Sequence, residues 1–155
     1  MGIFSPSGPI SVIIAGLTLA TVLYVGYFTY QRQAYLSTPI SQTFTSDVII
    51  PDFSVGDNPQ IQYDRTIYQS FVGSYRVEVK DATSGTNVCS GQGSNISYEA
   101  GETVPKDTTL TWYVGDVCAA RLPSGQYFLE TNYVISQEGL PNRYYTTKSN
   151  VFKVL

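Results

Sequence analysis

The sequence contains no histidine. A serine or cysteine nucleophile therefore has no imidazole to take its proton, and Ser-His-Asp and Cys-His relays are excluded, as is histidine-ligated zinc. Lysine can replace histidine as a base. Lys80, Lys106, Lys148 and Lys153, however, sit in strand-like or turn-like stretches with no Ser-x-x-Lys pattern. Paired carboxylates are another route, toward glycoside hydrolysis, but Glu99 and Glu102 flank Ala100-Gly101 and read as an acidic turn. Asp47, Asp52, Asp57 and Asp64 offer the oxygens that calcium takes, yet no run matches an Asp-x-Asp-x-Asp loop. Gly91-Gln92-Gly93 lacks the later glycine of a phosphate-binding loop. The sequence predicts no enzyme, no cofactor and no metal site.

Cys89 and Cys118 are the two cysteines, both beside Gly, Ser or Asp at expected strand ends. An even count near turns predicts a disulfide between them. Two thiols without histidine fall short of the four soft ligands of a structural zinc site. A disulfide places the surrounding domain outside the cytoplasm. Lys plus Arg is 9 against 12 for Asp plus Glu, a formal net charge of −3. Nucleic-acid binding needs a cationic footprint, so no nucleic-acid partner is expected.

The elements that must carry these residues fall into two kinds. No Asp, Glu, Lys or Arg occurs before Arg32. After a short leader at 1–9, residues 10–30 read ISVIIAGLTLATVLYVGYFTY. At about 1.5 Å per residue this stretch spans roughly 31 Å, the thickness of a bilayer core. It predicts one transmembrane helix, with lipid as its partner. Tyr24, Tyr27, Phe28 and Tyr30 gather at its end like an interfacial aromatic belt. The stretch shows no polar face, as a soluble helix would, and lacks the basic leader and cleavage site of a signal peptide. Gly16 and Ala20 make a small-xxx-small pair through which two such helices can approach. Orientation is contested: Arg32 after the span votes for a cytosolic C-terminal part, and the cysteines vote for an extracytoplasmic one.

Residues 31–43 read as a polar stalk, and 44–155 as one all-β domain. Expected strands are 44–50, 59–67, 71–80, 86–89, 108–114, 125–136 and 144–154. Tyr75, Val77 and Val79 alternate with Arg76, Glu78 and Lys80, and Leu110, Trp112 and Val114 alternate with Thr109, Thr111 and Tyr113. Tyr127, Leu129, Thr131, Tyr133 and Ile135 alternate with Phe128, Glu130, Asn132 and Val134. Period-two patterning of this kind marks strands with one buried face. About seven short strands separated by Gly, Pro, Asn and Asp turns is the arithmetic of a β-sandwich.

The stretch Leu122-Pro123-Ser124-Gly125-Gln126-Tyr127-Phe128-Leu129 resembles the loop and late strand of immunoglobulin-like and fibronectin-type domains, where a Leu-x-x-Gly-x-Tyr stretch sets a tyrosine at the sandwich corner. Ser149-Asn150-Val151-Phe152-Lys153-Val154 resembles the closing strand of such a domain, and Val55-Gly56-Asp57 before Ile61-Gln62-Tyr63 resembles the turn into an early one. The resemblance implies an immunoglobulin-like β-sandwich. The cysteines and Trp112 do not follow the antibody Cys…Trp…Cys order. The layout of leader, single span and small β domain is similar to that of envelope-anchored proteins of bacteria and their phages.

Thirteen tyrosines and seven phenylalanines are many for this length. Tyr63, Tyr75, Trp112, Tyr127 and Tyr133 read as core. Tyr68, Phe71, Tyr98, Tyr113, Tyr144 and Tyr145 read as outward or in loops, and exposed tyrosines mark contact surfaces. Tyr144 and Tyr145, with Tyr98 and Tyr113, are the expected contact patch. Asn95-Ile96-Ser97 is a glycosylation sequon. The expected function is a non-catalytic single-pass membrane protein. It would present its β domain outside the cytoplasm for protein binding, or for envelope or virion assembly. One alternative is a helix-driven oligomer with the sandwich as spacer; another is a cell-wall hydrolase or hydrolase inhibitor.

Overall fold

A computed structural model describes residues 8–104, 108–119 and 121–155. Residues 1–7 of the expected leader and Lys106 lie outside the described residues. The chain divides into two compact units, Met1–Thr38 and Pro39–Leu155.

The first unit is a single helix, α1 (Pro9–Ser37), of 29 residues. It begins at Pro9, whose missing N–H is harmless in the first turn. Thr18, Thr21 and Thr29 donate their hydroxyls back to the carbonyls of Ile14, Leu17 and Val25 at 2.7–2.9 Å, so these polar side chains are satisfied within the helix. Every side chain from residue 12 to residue 30 is exposed, apolar ones included. This is one helix long and apolar enough to cross a membrane. It does not stop at Tyr30. Gln31-Arg32-Gln33-Ala34-Tyr35-Leu36 are compatible with helix, and nothing interrupts them before Pro39. Proline drives the preceding residue out of the helical region, and Thr38 accordingly takes ψ 126. The first half of the expected stalk is therefore helical.

The second unit opens with a 3-10 turn at Ile40–Gln42 and continues β1 (Phe44–Ile49), β2 (Gln62–Ile67), β3 (Phe71–Asp81), β4 (Asn87–Tyr98), α2 (Leu110–Val114), α3 (Asp116–Ala119), β5 (Gly125–Ser136), β6 (Arg143–Lys148) and β7 (Phe152–Val154). The strands form two antiparallel sheets. One is the pair β1–β2; the other has the order β4-β3-β5-β6, with β7 also on β5. The β3–β5 ladder runs unbroken from Val72 opposite Ser136 to Asp81 opposite Tyr127. The alternation holds: on β5, Tyr127, Leu129, Thr131, Tyr133 and Ile135 are all buried. On the other face, Arg76 and Lys80 pair with Glu78 at 3.0 and 3.5 Å, and Glu130 pairs with Lys148 at 3.2 Å and with Lys80. One core cluster centres on Val48, Val77, Val79, Leu110, Leu129 and Phe152; the second joins Phe44, Ile67, Phe71, Tyr98, Tyr133 and Ile135.

Three expected strands come out differently. Residues 108–114 are not a strand: Leu110–Val114 is the helix α2. Leu110, Tyr113 and Val114 are buried at helical spacing, and Trp112 is 53% exposed. Thr109 caps the turn, its side chain accepting from the Trp112 N–H at 3.4 Å, and Asn58 Oδ1 accepts from the Thr111 N–H at 3.0 Å. The expected strand at 86–89 extends to Tyr98 as β4, because the ladder with β3 satisfies a backbone whose Gly and Ser content reads locally as loop. The expected strand at 144–154 is interrupted at Ser149, Asn150 and Val151. Asn150 turns its side-chain amide to both the N–H and the carbonyl of Ile50 at 2.8 Å, which stitches the break to the end of β1. Seven strands stand among the described residues; their number equals the expected one, but their membership differs.

The stretch before β5 folds tightly. Tyr127 donates its hydroxyl to the Pro123 carbonyl at 2.9 Å. The ring lies so close to Gly125 that a Cβ there would meet the Tyr127 hydroxyl oxygen at 2.8 Å. A second close approach joins α2 to β4: a Cβ on Gly91 would collide with the Val114 carbonyl group.

Candidate functional site

Cys89 on β4 is bonded to Cys118 on α3, with 5.6 Å between their Cα atoms, as the sequence predicts. The bond fastens the segment carrying α2 and α3 to the large sheet. That segment forms one wall of a cavity of about 230 Å³, lined by Tyr63, Arg65, Tyr75, Ile96, Tyr98, Glu102, Trp112, Tyr113 and Tyr133. A more open hollow of about 460 Å³ lies beside the disulfide, but it lacks converging aromatic faces.

The deep end of the cavity is a hydroxyl network. Tyr133 OH lies 3.0 Å from Ser46 Oγ, 3.0 Å from Tyr113 OH and 3.3 Å from Tyr63 OH. Tyr113 OH also lies 2.9 Å from Thr131 Oγ1. Strand alternation places Thr131 and Tyr133 on the same inward face of β5, and α2 lowers Tyr113 onto them. Burial, reinforced by the neighbouring phenols, holds the Tyr113 and Tyr133 hydroxyls well above the ordinary tyrosine range. Burial raises Tyr75 and Tyr98 as well. All four are therefore neutral hydrogen-bonding groups at physiological pH.

The mouth carries charge. Arg65 projects from β2 and its Nη2 meets Glu102 Oε1 at 3.1 Å; the Arg65 side chain is 9% exposed and that of Glu102 43%. The guanidinium carbon lies 5.2 Å from the Tyr98 ring centre and 5.8 Å from that of Tyr63. This is cation–π distance, and it explains why a buried arginine is tolerated here. Arg65 Nε is buried and has no hydrogen-bond partner. Trp112 stands at the rim, its ring 6.3 Å from that of Tyr63. Tyr75 and Tyr113 stack at 6.1 Å with 7° between their planes.

No family model, curated protein or solved structure matches this chain.

The residues singled out in the sequence are scattered. Tyr98 and Tyr113 are each 3% exposed and belong to the cavity wall, so they do not form an outward contact patch with Tyr144 and Tyr145. Tyr144 faces outward from β6 and is 73% exposed. Tyr145 points inward, its ring 5.8 Å from that of Phe44 and 6.1 Å from that of Tyr133. Phe71 is buried as well, and Trp112 is not a core residue. Gly16 and Ala20 lie one turn apart on α1, and a Cβ on Gly16 would meet nothing within 4 Å. Glu99 and Glu102 close the expected turn, the Glu102 N–H donating to the Glu99 carbonyl at 3.0 Å and Glu102 Oε2 accepting the Glu99 N–H at 3.3 Å, while Glu102 Oε1 meets Arg65. Asp52 accepts the Lys153 N–H at 2.7 Å and Asp57 the Ser54 N–H at 3.3 Å, so both serve the backbone. Tyr63, Arg65, Tyr75 and Glu102 were not recognisable as partners in the sequence. The one available signal was the excess of tyrosine.

Proposed function

We propose that this chain is a non-catalytic, single-pass membrane protein whose immunoglobulin-like β unit lies outside the cytoplasm and acts by binding or in envelope assembly. The observation that carries this reading is α1. A helix of 29 residues whose side chains from 12 to 30 are exposed on every side, most of them apolar, has no counterpart surface within its own unit and suits lipid. The disulfide supports an oxidising compartment. The Tyr127–Pro123 hydrogen bond reproduces the geometry of the tyrosine corner and supports immunoglobulin-like kinship. The absence of histidine argues against a hydrolase.

The test is sidedness in the native membrane. The chain should stay with the membrane through alkaline carbonate extraction, and protease added from outside should remove the β unit. Thiol reagents should find no free cysteine. Extraction into the soluble fraction, or a protected β unit with two labelled thiols, refutes the reading. A second reading, assembly through the helix, rests on the exposed Gly16–Ala20 face. It expects detergent-stable cross-linked ladders that disappear in Gly16→Leu.

A further inference from the structure

The geometry points to the aromatic cavity as a binding site for a single neutral sugar ring, free or at the end of a glycan. Size comes first. At about 230 Å³ the cavity is smaller than the roughly 300–1,000 Å³ of pockets for drug-sized ligands, so it takes one small ring rather than an extended molecule. The walls come second. Tyr63, Tyr75 and Trp112 line the cavity, and the C–H face of a pyranose packs on aromatic rings through apolar contact and weak C–H donors. The mouth decides the charge. A cation would be repelled by Arg65 and a carboxylate by Glu102, whereas the pair together has no net charge. Arg65 is a donor and Glu102 an acceptor, only 3.1 Å apart. A vicinal diol meets both, one hydroxyl accepting and the next donating. Tyr75 and Tyr98 belong to the same walls, and their hydroxyls make no hydrogen bond among the described residues.

This inference deepens the binding role proposed above, but it depends neither on the bilayer nor on sidedness. Sugar titration and membrane sidedness therefore fail independently. The experiment uses the full chain in a polyoxyethylene detergent, since alkyl glycosides would themselves occupy the site. Glucose, galactose, mannose and N-acetylglucosamine, with their short oligomers, are titrated by calorimetry and by the fluorescence of Trp112, the sole tryptophan. At least one should bind saturably. An oligomer binding no more tightly than its monomer indicates a site for a free sugar; a large gain indicates a glycan end. Trp112→Ala, at a half-exposed position, should weaken binding at least about tenfold while the domain stays folded, and Trp112→Phe should restore most of it. Arg65→Gln should weaken it similarly. Absence of saturable binding across the series overturns the proposal. So does binding that both Trp112→Ala and Arg65→Gln leave intact, or a preference for phenylacetate over every sugar.

Discussion

Replacing both Cys89 and Cys118 by alanine tests how the helical segment is held. Alanine is preferable to serine because Cys118 is buried, and a serine there would bring an unpaired hydroxyl inside. The two cysteines are 29 residues apart. Releasing a ring of that length returns entropy to the unfolded chain worth about 3.6 kcal/mol at 25 °C. For a domain of about 100 residues, each kcal/mol shifts the midpoint by roughly 4 °C, so the double variant should melt about 15 °C lower. Near-ultraviolet dichroism of the full chain in detergent is the appropriate signal, because α1 dominates the far-ultraviolet. Trp112 provides a local reading. It sits on α2, immediately before the crosslinked α3, and its emission should change at temperatures below the main transition once the tether is gone. A midpoint within about 3 °C of the parent, with parent thiols shown to be fully oxidised, would refute the loop-entropy account. It would mean that packing alone, through Leu110, Val114 and Leu122, fixes this wall.

Gly91→Ala should be destabilising by at least about 1–3 kcal/mol, since the new Cβ meets the backbone of Val114 and α2 must lift from β4; chemical denaturation with the Trp112 signal measures it. Tyr133→Phe removes a hydroxyl shared with Ser46, Tyr113 and Tyr63 and should cost about 1–3 kcal/mol, visible as a lower denaturant midpoint with an unchanged slope. Raising pH gives an independent reading of the same buried tyrosine cluster. Tyr98, Tyr113 and Tyr133 have folded pKa values above the unfolded one, so their contribution is complete below the ordinary tyrosine pKa of about 10 and is lost as pH climbs through the folded values. Alkaline titration followed by phenolate absorbance should show these groups ionising together with unfolding; smooth titration at the ordinary value with the fold intact contradicts the assignment.

What the sequence disclosed depended on range. The apolar stretch of α1 and the alternation on β3 and β5 are local signals, each governed by one periodicity, and both are readable from the sequence. The stretch Leu110–Val114 fits two periods, since Leu110, Trp112 and Val114 suit a strand while Leu110, Tyr113 and Val114 suit a helical turn. The choice is made by the Thr109 cap and by Asn58, which lies 53 positions away. The extent of β4 is likewise set by β3, against a composition that reads as loop. The cavity could not be read at all. Its walls come from β2, β3, β4, the turn at Glu102, α2 and β5, and only the register of two sheets brings Arg65 beside Tyr98.

The order of the large sheet leaves β4 at one end and β6 at the other. A bare strand at the end of a sheet is a template on which a neighbouring molecule can add its own. Both ends are blunted. β6 is six residues long and terminates in Arg143 and Lys148. β4 is twice that length, but its ladder slips twice, and at Asn95 the backbone turns left-handed with φ 56. Asn tolerates that conformation, and the resulting bulge breaks the straight row of amides a visitor would need. The glycosylation sequon falls on this same bulge, where an attached glycan would stand in the way of any incoming strand. Irregularity along β4 is thus of the kind that disfavours edge-to-edge pairing between copies of a sheet.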